Sequence, residues 1–61
     1  MVGCKGEVVS RLVPEGMVRI KGETWRARSD SGEIQEGIEV IVVAQDRLEL
    51  IVQKGGGLNI G

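Results

Sequence analysis

Hydrophobic and polar residues alternate with a period of two along most of the chain, and no segment keeps the spacing of an amphipathic helix. This alternation is typical of β-strands that bury one face. It predicts strands at residues 6–14, 17–20, 23–28, 38–45 and 48–53. The chain is therefore predicted to be all-β.

Short polar segments separate the predicted strands. Residues 14–16, with the sequence Pro-Glu-Gly, predict a turn because proline presets φ and glycine tolerates positive φ. Tight turns are also predicted at residues 21–22 and 46–47. The longest connection, residues 29–37, is mostly polar and has room for a single helical turn at 33–37.

Five short strands bury little surface as an open sheet, and closing them into a barrel removes the exposed edges. The longest connection falls between the third and fourth strands, where an OB-fold has its irregular segment. We therefore predict a five-stranded OB-type Greek-key barrel over residues 6–53, between a lead at 1–5 and a glycine-rich tail at 54–61. Ala44 is placed on the same strand face as Ile38, Val40 and Val42. The side chains predicted to point inward are Val8, Leu12, Val18, Ile20, Trp25, Ala27, Ile38, Val40, Val42, Leu48, Leu50 and Val52.

Trp25 is the single aromatic residue of the chain. It shares a strand face with Ala27, which predicts a core tryptophan. The alternative is a platform on which a ligand stacks, and the inward register favours the core.

The outward register of the predicted strands also carries apolar side chains. Such a set in so small a domain is expected to be covered. The tail could cover it through Leu58 and Ile60, or it could be the surface on which another chain docks, and the sequence supports both equally. The candidate partner-binding residues are Val9, Val13, Met17, Ile41, Val43 and Ile51.

Basic residues form a second outward set on the first three strands, comprising Arg11, Arg19, Arg26 and Arg28. An OB-fold binds single strands on the face around its second and third strands, so these arginines suggest a nucleic-acid groove. Such grooves stack bases on exposed aromatic residues, which the pattern does not predict here. The favoured interpretation is a solvated face with Glu23 and Glu49 as cross-strand partners.

Composition narrows the function classes. Eight basic and nine acidic residues give a net charge of −1, so the chain has no overall attraction to nucleic acid or an anionic membrane. Its longest apolar run, residues 40–44, is far shorter than the roughly 20 residues of a membrane span, so the chain is not expected to cross a bilayer by itself.

Candidate chemistry is sparse. The sequence has no histidine, the commonest general base and metal ligand. Cys4 has no histidine partner and is expected to be an inert thiol. Glu33, Glu36 and Glu39 lack the spacing of a calcium loop and are expected to form a solvated acidic edge. We therefore predict no catalytic residue, metal site or cofactor.

A set of residues at fixed spacing runs through the predicted barrel. Its most specific part is a Pro-x-Gly turn followed by a Gly-Glu-x-Trp-x-Ala run. The set is Gly6, Val8, Ser10, Leu12, Pro14, Gly16, Val18, Ile20, Gly22, Glu23, Trp25, Ala27, Ser29, Ile34, Gly37, Val40, Val42, Leu48, Leu50 and Val52. Over residues 6–53 this pattern resembles the C-terminal soluble domain of NfeD-like membrane proteins.

The resemblance implies an OB-type barrel that follows several transmembrane helices, so the chain would be the membrane-associated soluble domain of an integral membrane protein. In longer family members a serine protease domain of the ClpP class precedes those helices. Its motif lies outside this segment, so no catalytic residue is carried over. The implied partner is a stomatin-like (SPFH) membrane protein, and the implied process is membrane protein quality control.

One departure from the family lies in the predicted turn at Asp46 and Arg47, where family members often carry Asp-Gly. Arginine tolerates positive φ poorly, so a different type of turn is expected there.

The leading functional hypothesis is a non-catalytic interaction or scaffold domain that binds a stomatin-like protein and can also self-associate. The alternative is a single-stranded nucleic-acid-binding OB domain. The near-neutral charge and the lack of predicted exposed aromatic residues favour the first hypothesis.

Overall fold

The computed structural model of the chain describes residues 2–55, which form five β-strands. The strands are β1 (Lys5–Ser10), β2 (Glu15–Ile20), β3 (Glu23–Ser29), β4 (Glu39–Asp46) and β5 (Glu49–Lys54). No helix in this part of the chain is long and apolar enough to cross a membrane. Leu58 and Ile60, the candidate cover for the outer apolar surface, lie outside the described residues.

The strands close into one barrel in the order β1-β2-β3-β5-β4, and β4 pairs back onto β1. All neighbouring strands are antiparallel except β3 and β5, which are parallel. This arrangement confirms the predicted five-stranded OB-type barrel.

The β1–β4 ladder extends beyond its paired strand residues. At one end Gly3 N donates to Val42 O at 2.7 Å, and Val42 N donates to Cys4 O at 2.9 Å. At the other end Val8 N donates to Ile38 O at 3.0 Å. The seam that closes the barrel therefore includes residues on either side of the two strands.

Both two-residue turns use positive φ angles. Lys21 and Gly22 have φ of 52° and 82°, as a type I′ hairpin turn requires. In the β4–β5 hairpin Asp46 pairs with Glu49, so the turn residues are Arg47 and Leu48. Arg47 has a φ of 61°, so the expectation that arginine would avoid positive φ at this turn is wrong.

Buried apolar side chains from every strand fill the barrel. They are Val8, Leu12, Val18, Ile20, Ala27, Ile34, Val40, Val42, Leu50 and Val52. Cys4, Trp25 and Ile38 are partly buried and pack against this core.

Ile34 is the core residue that the alternation did not predict. It forms an isolated antiparallel bridge with Leu12 and is 1% exposed. The single helical turn for which residues 33–37 have room is not formed. Instead, Ile34 extends alongside Leu12, and a β-turn follows in which Ile38 N donates to Gln35 O at 3.3 Å.

A β-bulge in β4 makes the prediction that Ala44 shares a strand face with Val40 and Val42 wrong. Val42 pairs with Val52 inside the barrel, but the next pair is Ala44 with Ile51, so Val43 is an extra residue. The extra residue reverses the alternation, and Ala44 is exposed.

A similar bulge interrupts β1. The register passes from Val8 opposite Val18 to Ser10 opposite Met17, which leaves Val9 as the extra residue. Strict alternation would put Ser10 on the face of Val8, but Ser10 is exposed.

Leu48 was predicted inward, and this prediction is wrong. It lies at the tip of the β4–β5 hairpin and is 82% exposed. The first inward residue of β5 is Leu50, which is fully buried.

Trp25 occupies the inward register of β3, opposite Val18 on β2. It is half-buried and packs against the core. Its indole Nε1 is shielded from solvent and has no hydrogen-bond partner among the described residues. The structure therefore agrees with the core interpretation, although the ring is only partly enclosed.

Gly16 allows two backbone segments to approach closely. A Cβ atom at this position would overlap the carbonyl oxygen of Ser10 and lie 2.6 Å from that of Arg11. Because both obstacles are backbone atoms, a side chain at Gly16 would force the chain between β1 and β2 to move.

Candidate functional site

An apolar cluster lies on the outer face of β4 and β5. Ala44 faces Ile51 across the ladder, and Val43 precedes Ala44 at the bulge. Ile41 lies on the outward register of the same strand. Ile41, Val43 and Ile51 are half-buried, and Ala44 is exposed. We call these four residues the β4–β5 patch.

Basic side chains flank this patch on both neighbouring strands. Ile41 faces Lys5 on β1, and Ile51 faces Arg28 on β3. Within residues 2–55, Arg11 and Glu33 form the one ion pair with a nitrogen–oxygen distance below 4 Å. Neither Lys5 nor Arg28 therefore has a carboxylate within that distance. The patch therefore offers apolar contact with cationic groups at its sides.

The remaining candidate partner-binding residues lie elsewhere on the barrel. Met17 and Val9 are half-buried on the β1–β2 side, and Val13 is 56% exposed in the connection between those strands. Arg26 faces Met17 on β3, so a row of charged side chains separates this group from the β4–β5 patch. The predicted set is thus divided between two surfaces.

The four candidate arginines are all exposed, but carboxylates lie beside most of them. The Nε of Arg11 lies 3.4 Å from a carboxylate oxygen of Glu33. Two further arginines face glutamates across the ladders, and the pairs are Arg19 with Glu7 and Arg28 with Glu15.

The predicted cross-strand partners Glu23 and Glu49 are wrong, because Glu23 faces Ile20 and Glu49 faces Asp46. The arginines do face acidic cross-strand partners, but these are Glu7 and Glu15. The outer face of the first three strands has mixed charge, which does not favour a groove for a polyanion.

A depression at the tip of the β4–β5 hairpin was missed by the sequence pattern. The exposed Leu48 forms part of its wall, together with charged side chains from β2 and β3. The lining residues are Glu15, Arg26, Asp46, Arg47, Leu48 and Glu49. The tight turn predicted at 46–47 could have indicated it. Leu48 follows that turn directly, so it could have been assigned to the exposed tip of the hairpin instead of to the strand.

The groups considered for catalysis or metal binding do not assemble. Cys4 is a half-buried free thiol. Glu33 accepts a hydrogen bond of 2.9 Å from Gln35 and pairs with Arg11. Among the described residues no three histidine, cysteine or acidic side chains are grouped so that they could hold a metal ion.

Comparison with known proteins assigns the barrel to a family. Residues 1–54 match the family described as NfeD-like C-terminal, partner-binding domain. The chain is 49% identical over 61 residues to the membrane-bound protease PH1510 of Pyrococcus horikoshii. That alignment includes 93% of this chain and 14% of the protease, so the chain spans about a seventh of its relative's length.

Two solved structures share the fold. The C-terminal domain of stomatin operon partner protein 1510-C from Pyrococcus horikoshii is 48% identical with a TM-score of 0.87, over 90% of this chain and 88% of that one. The soluble domain of a Corynebacterium glutamicum membrane protein implicated in regulation of membrane protease activity is 34% identical with a TM-score of 0.80, over 87% and 89% of the two chains. The family match, the sequence identity and the shared barrel agree, and the chain belongs to the family of NfeD-like C-terminal, partner-binding domains.

Proposed function

We propose that this chain is a non-catalytic module that binds a stomatin-like protein within a membrane-associated assembly. The observation that carries the proposal is the match of nearly the whole chain to a partner-binding family. The name of the 48% identical relative, a stomatin operon partner protein, supports the choice of partner.

The architecture supports a binding role at the outer surface. Buried side chains such as Leu12, Val18 and Leu50 fill the barrel interior, so recognition has to use the outside. There the β4–β5 patch combines apolar contact with basic flanks, a mixture common in protein interfaces. We propose this patch as the centre of the interface, with the group around Met17 as a second contact.

The membrane association is proposed from the relatives. One is named as a membrane-bound protease and another as the soluble domain of a membrane protein. We propose that helices elsewhere in a longer protein tether the barrel to the membrane. The link of these relatives to membrane proteases supports a role in membrane protein quality control.

The direct test is a binding measurement between the 61-residue chain and the stomatin-like protein of the same genome, purified in detergent. Biolayer interferometry should give a saturable signal with a dissociation constant in the micromolar range or tighter. An unrelated detergent-purified membrane protein is the control for nonspecific capture. Equal signals from the two proteins would contradict the proposed function.

A further inference from the structure

The two edges of β3 are paired to different extents. On one side β2 pairs with it over six positions, from Glu23 to Arg28. On the other side β5 pairs with it only at Ala27, Arg28 and Ser29. Outside the strand ladders, no backbone hydrogen bond reaches residues 23–26 from the described part of the chain. We call the unpaired side of residues 23–26 the free β3 edge.

The direction of the backbone groups follows from the hairpin geometry. Backbone groups in a strand point alternately to its two sides. Ser29 N donates to Pro14 O at 2.7 Å on the β2 side, so Ala27 and Trp25 also face β2. Thr24 and Arg26 therefore direct their amide and carbonyl groups to the opposite side. The pairing of Ala27 with Leu50 joins Leu50 N to Arg26 O, whereas both backbone groups of Thr24 lie beyond the reach of β5. Thr24 and Arg26 are both exposed.

The free β3 edge opens toward the tip of the β4–β5 hairpin. If β5 continued backward in register, Leu48 would lie opposite Trp25, but the chain instead turns away to β4 at Arg47 and Leu48. The space that a longer β5 would occupy thus lies beside the 82% exposed Leu48 and the depression that Arg26 helps to line.

We propose that the free β3 edge binds an extended segment of the partner protein by β-strand addition, in line with β5. This inference rests on the proposed function, because it assigns a binding mode to the partner-binding domain. Backbone hydrogen bonds to the amide and carbonyl of Thr24 and to the amide of Arg26 hold the segment, and Leu48 contacts an apolar side chain of it. In strand addition, main-chain bonds supply affinity and alternate side chains supply specificity.

The charged side chains that line the depression indicate which charge the bound segment carries. Three carboxylates, those of Glu15, Asp46 and Glu49, line it with two arginines. None of these five groups has an opposite charge within 4 Å among residues 2–55. The excess of carboxylates fits a segment that carries a lysine or arginine next to its apolar residue.

Thr24→Pro tests the edge directly. Proline removes an amide that the barrel does not use, and its ring points into the space where the added strand would lie. Thr24→Val is the matched control, because it also removes the hydroxyl but keeps the amide. Thr24→Pro should weaken binding of the stomatin-like protein at least tenfold, whereas Thr24→Val should stay within threefold of wild type. Leu48→Asn should weaken binding as well.

The outcomes separate this inference from the proposed function. If the wild-type chain binds and a folded Thr24→Pro variant binds equally well, the inference is wrong and the proposed function stands. If the wild-type chain does not bind, the proposed function fails and takes this inference with it.

Amide hydrogen exchange gives a second test that needs no substitution. In the free chain the Thr24 amide should exchange faster than that of Trp25, which bonds to β2. Binding of the stomatin-like protein should slow exchange at Thr24 at least tenfold. Unchanged exchange at Thr24 in the complex would overturn the inference, even if Thr24→Pro failed to fold. Protection of Thr24 in the free chain at high concentration alone would also overturn it, since a second copy would then occupy the edge.

Discussion

Leu12 and Ile34 form an isolated antiparallel bridge in which each amide donates to the other's carbonyl, at N–O distances of 2.9 and 3.1 Å. The bridge fastens the connection between β3 and β4 to the segment between β1 and β2. Both side chains are almost completely buried.

Ile34→Ala should therefore destabilise the domain by about 2–5 kcal/mol, the usual cost of truncating a buried isoleucine. Ile34→Val is the matched control and should cost roughly 0.5–1.5 kcal/mol. Urea denaturation followed by circular dichroism measures both. If Ile34→Ala lowers the free energy of unfolding by less than about 1 kcal/mol, the Ile34 side chain does not belong to the core.

Trp25→Ala should cost about 3 kcal/mol, at the lower end of the range for tryptophan truncation because the ring is only half-buried. Trp25→Phe should cost clearly less, since it keeps an aromatic ring and the lost Nε1 group has no partner. Thermal denaturation compares the two variants. In the wild-type protein the fluorescence maximum should be blue-shifted, and a solvent-like maximum would contradict a core tryptophan.

Arg47→Gly should stabilise the domain by up to about 1 kcal/mol, because glycine relieves the cost of a left-handed backbone and part of that gain is offset by its greater freedom when unfolded. Arg47 has a φ of 61°. Leu48→Gly is the control, because Leu48 is not among the residues with positive φ and should not be stabilised. Equal effects of the two substitutions in chemical denaturation would exclude backbone strain as the cause.

Single-stranded DNA and RNA should bind no more tightly than the nonspecific range, with dissociation constants weaker than roughly 10⁻⁶ M at physiological salt. The reason is that Glu33, Glu7 and Glu15 lie beside Arg11, Arg19 and Arg28. Fluorescence anisotropy with labelled oligonucleotides measures this. Tighter binding that is lost in an Arg26→Ala/Arg28→Ala double variant would favour the nucleic-acid alternative instead.

The double variant Ile41→Thr/Val43→Thr should remain folded, because threonine keeps a high β propensity and both side chains lie on the outer register. It should weaken binding of the stomatin-like protein, or self-association, at least tenfold if each residue contributes about 1 kcal/mol. Sedimentation velocity and biolayer interferometry measure the two. Val13→Thr, in the group around Met17 proposed as the second contact, should weaken binding less than this double variant does. If every association survives unchanged, the β4–β5 patch is not an interface.

Period-two alternation predicts the strands well wherever neighbouring residues pair without interruption. In β2 and β3 it assigns Val18, Ile20 and Ala27 correctly to the core. It fails at Ala44, because the bulge at Val43 reverses the two faces and no local residue type marks that bulge. Ile34 was missed for a different reason, since its pairing with Leu12 depends on the closed topology.

The candidate site was less predictable than the fold. Alternation identifies which apolar residues point outward, but it does not say which of them are neighbours. That depends on registers such as Ala44 with Ile51 and Arg28 with Glu15. The free β3 edge could not be predicted at all, because it follows from the relative lengths of two ladders.

The closure of the barrel also has a kinetic consequence. The β2–β3 and β4–β5 hairpins join residues close in sequence, whereas the Lys5–Ile41 and Ala27–Leu50 pairs bring together distant parts of the chain. Non-local pairing slows folding, because loop-closure entropy is lost before the contacts form. The hairpins are thus expected to form first. The rate of folding then depends on how quickly β1 pairs with β4 and β3 pairs with β5.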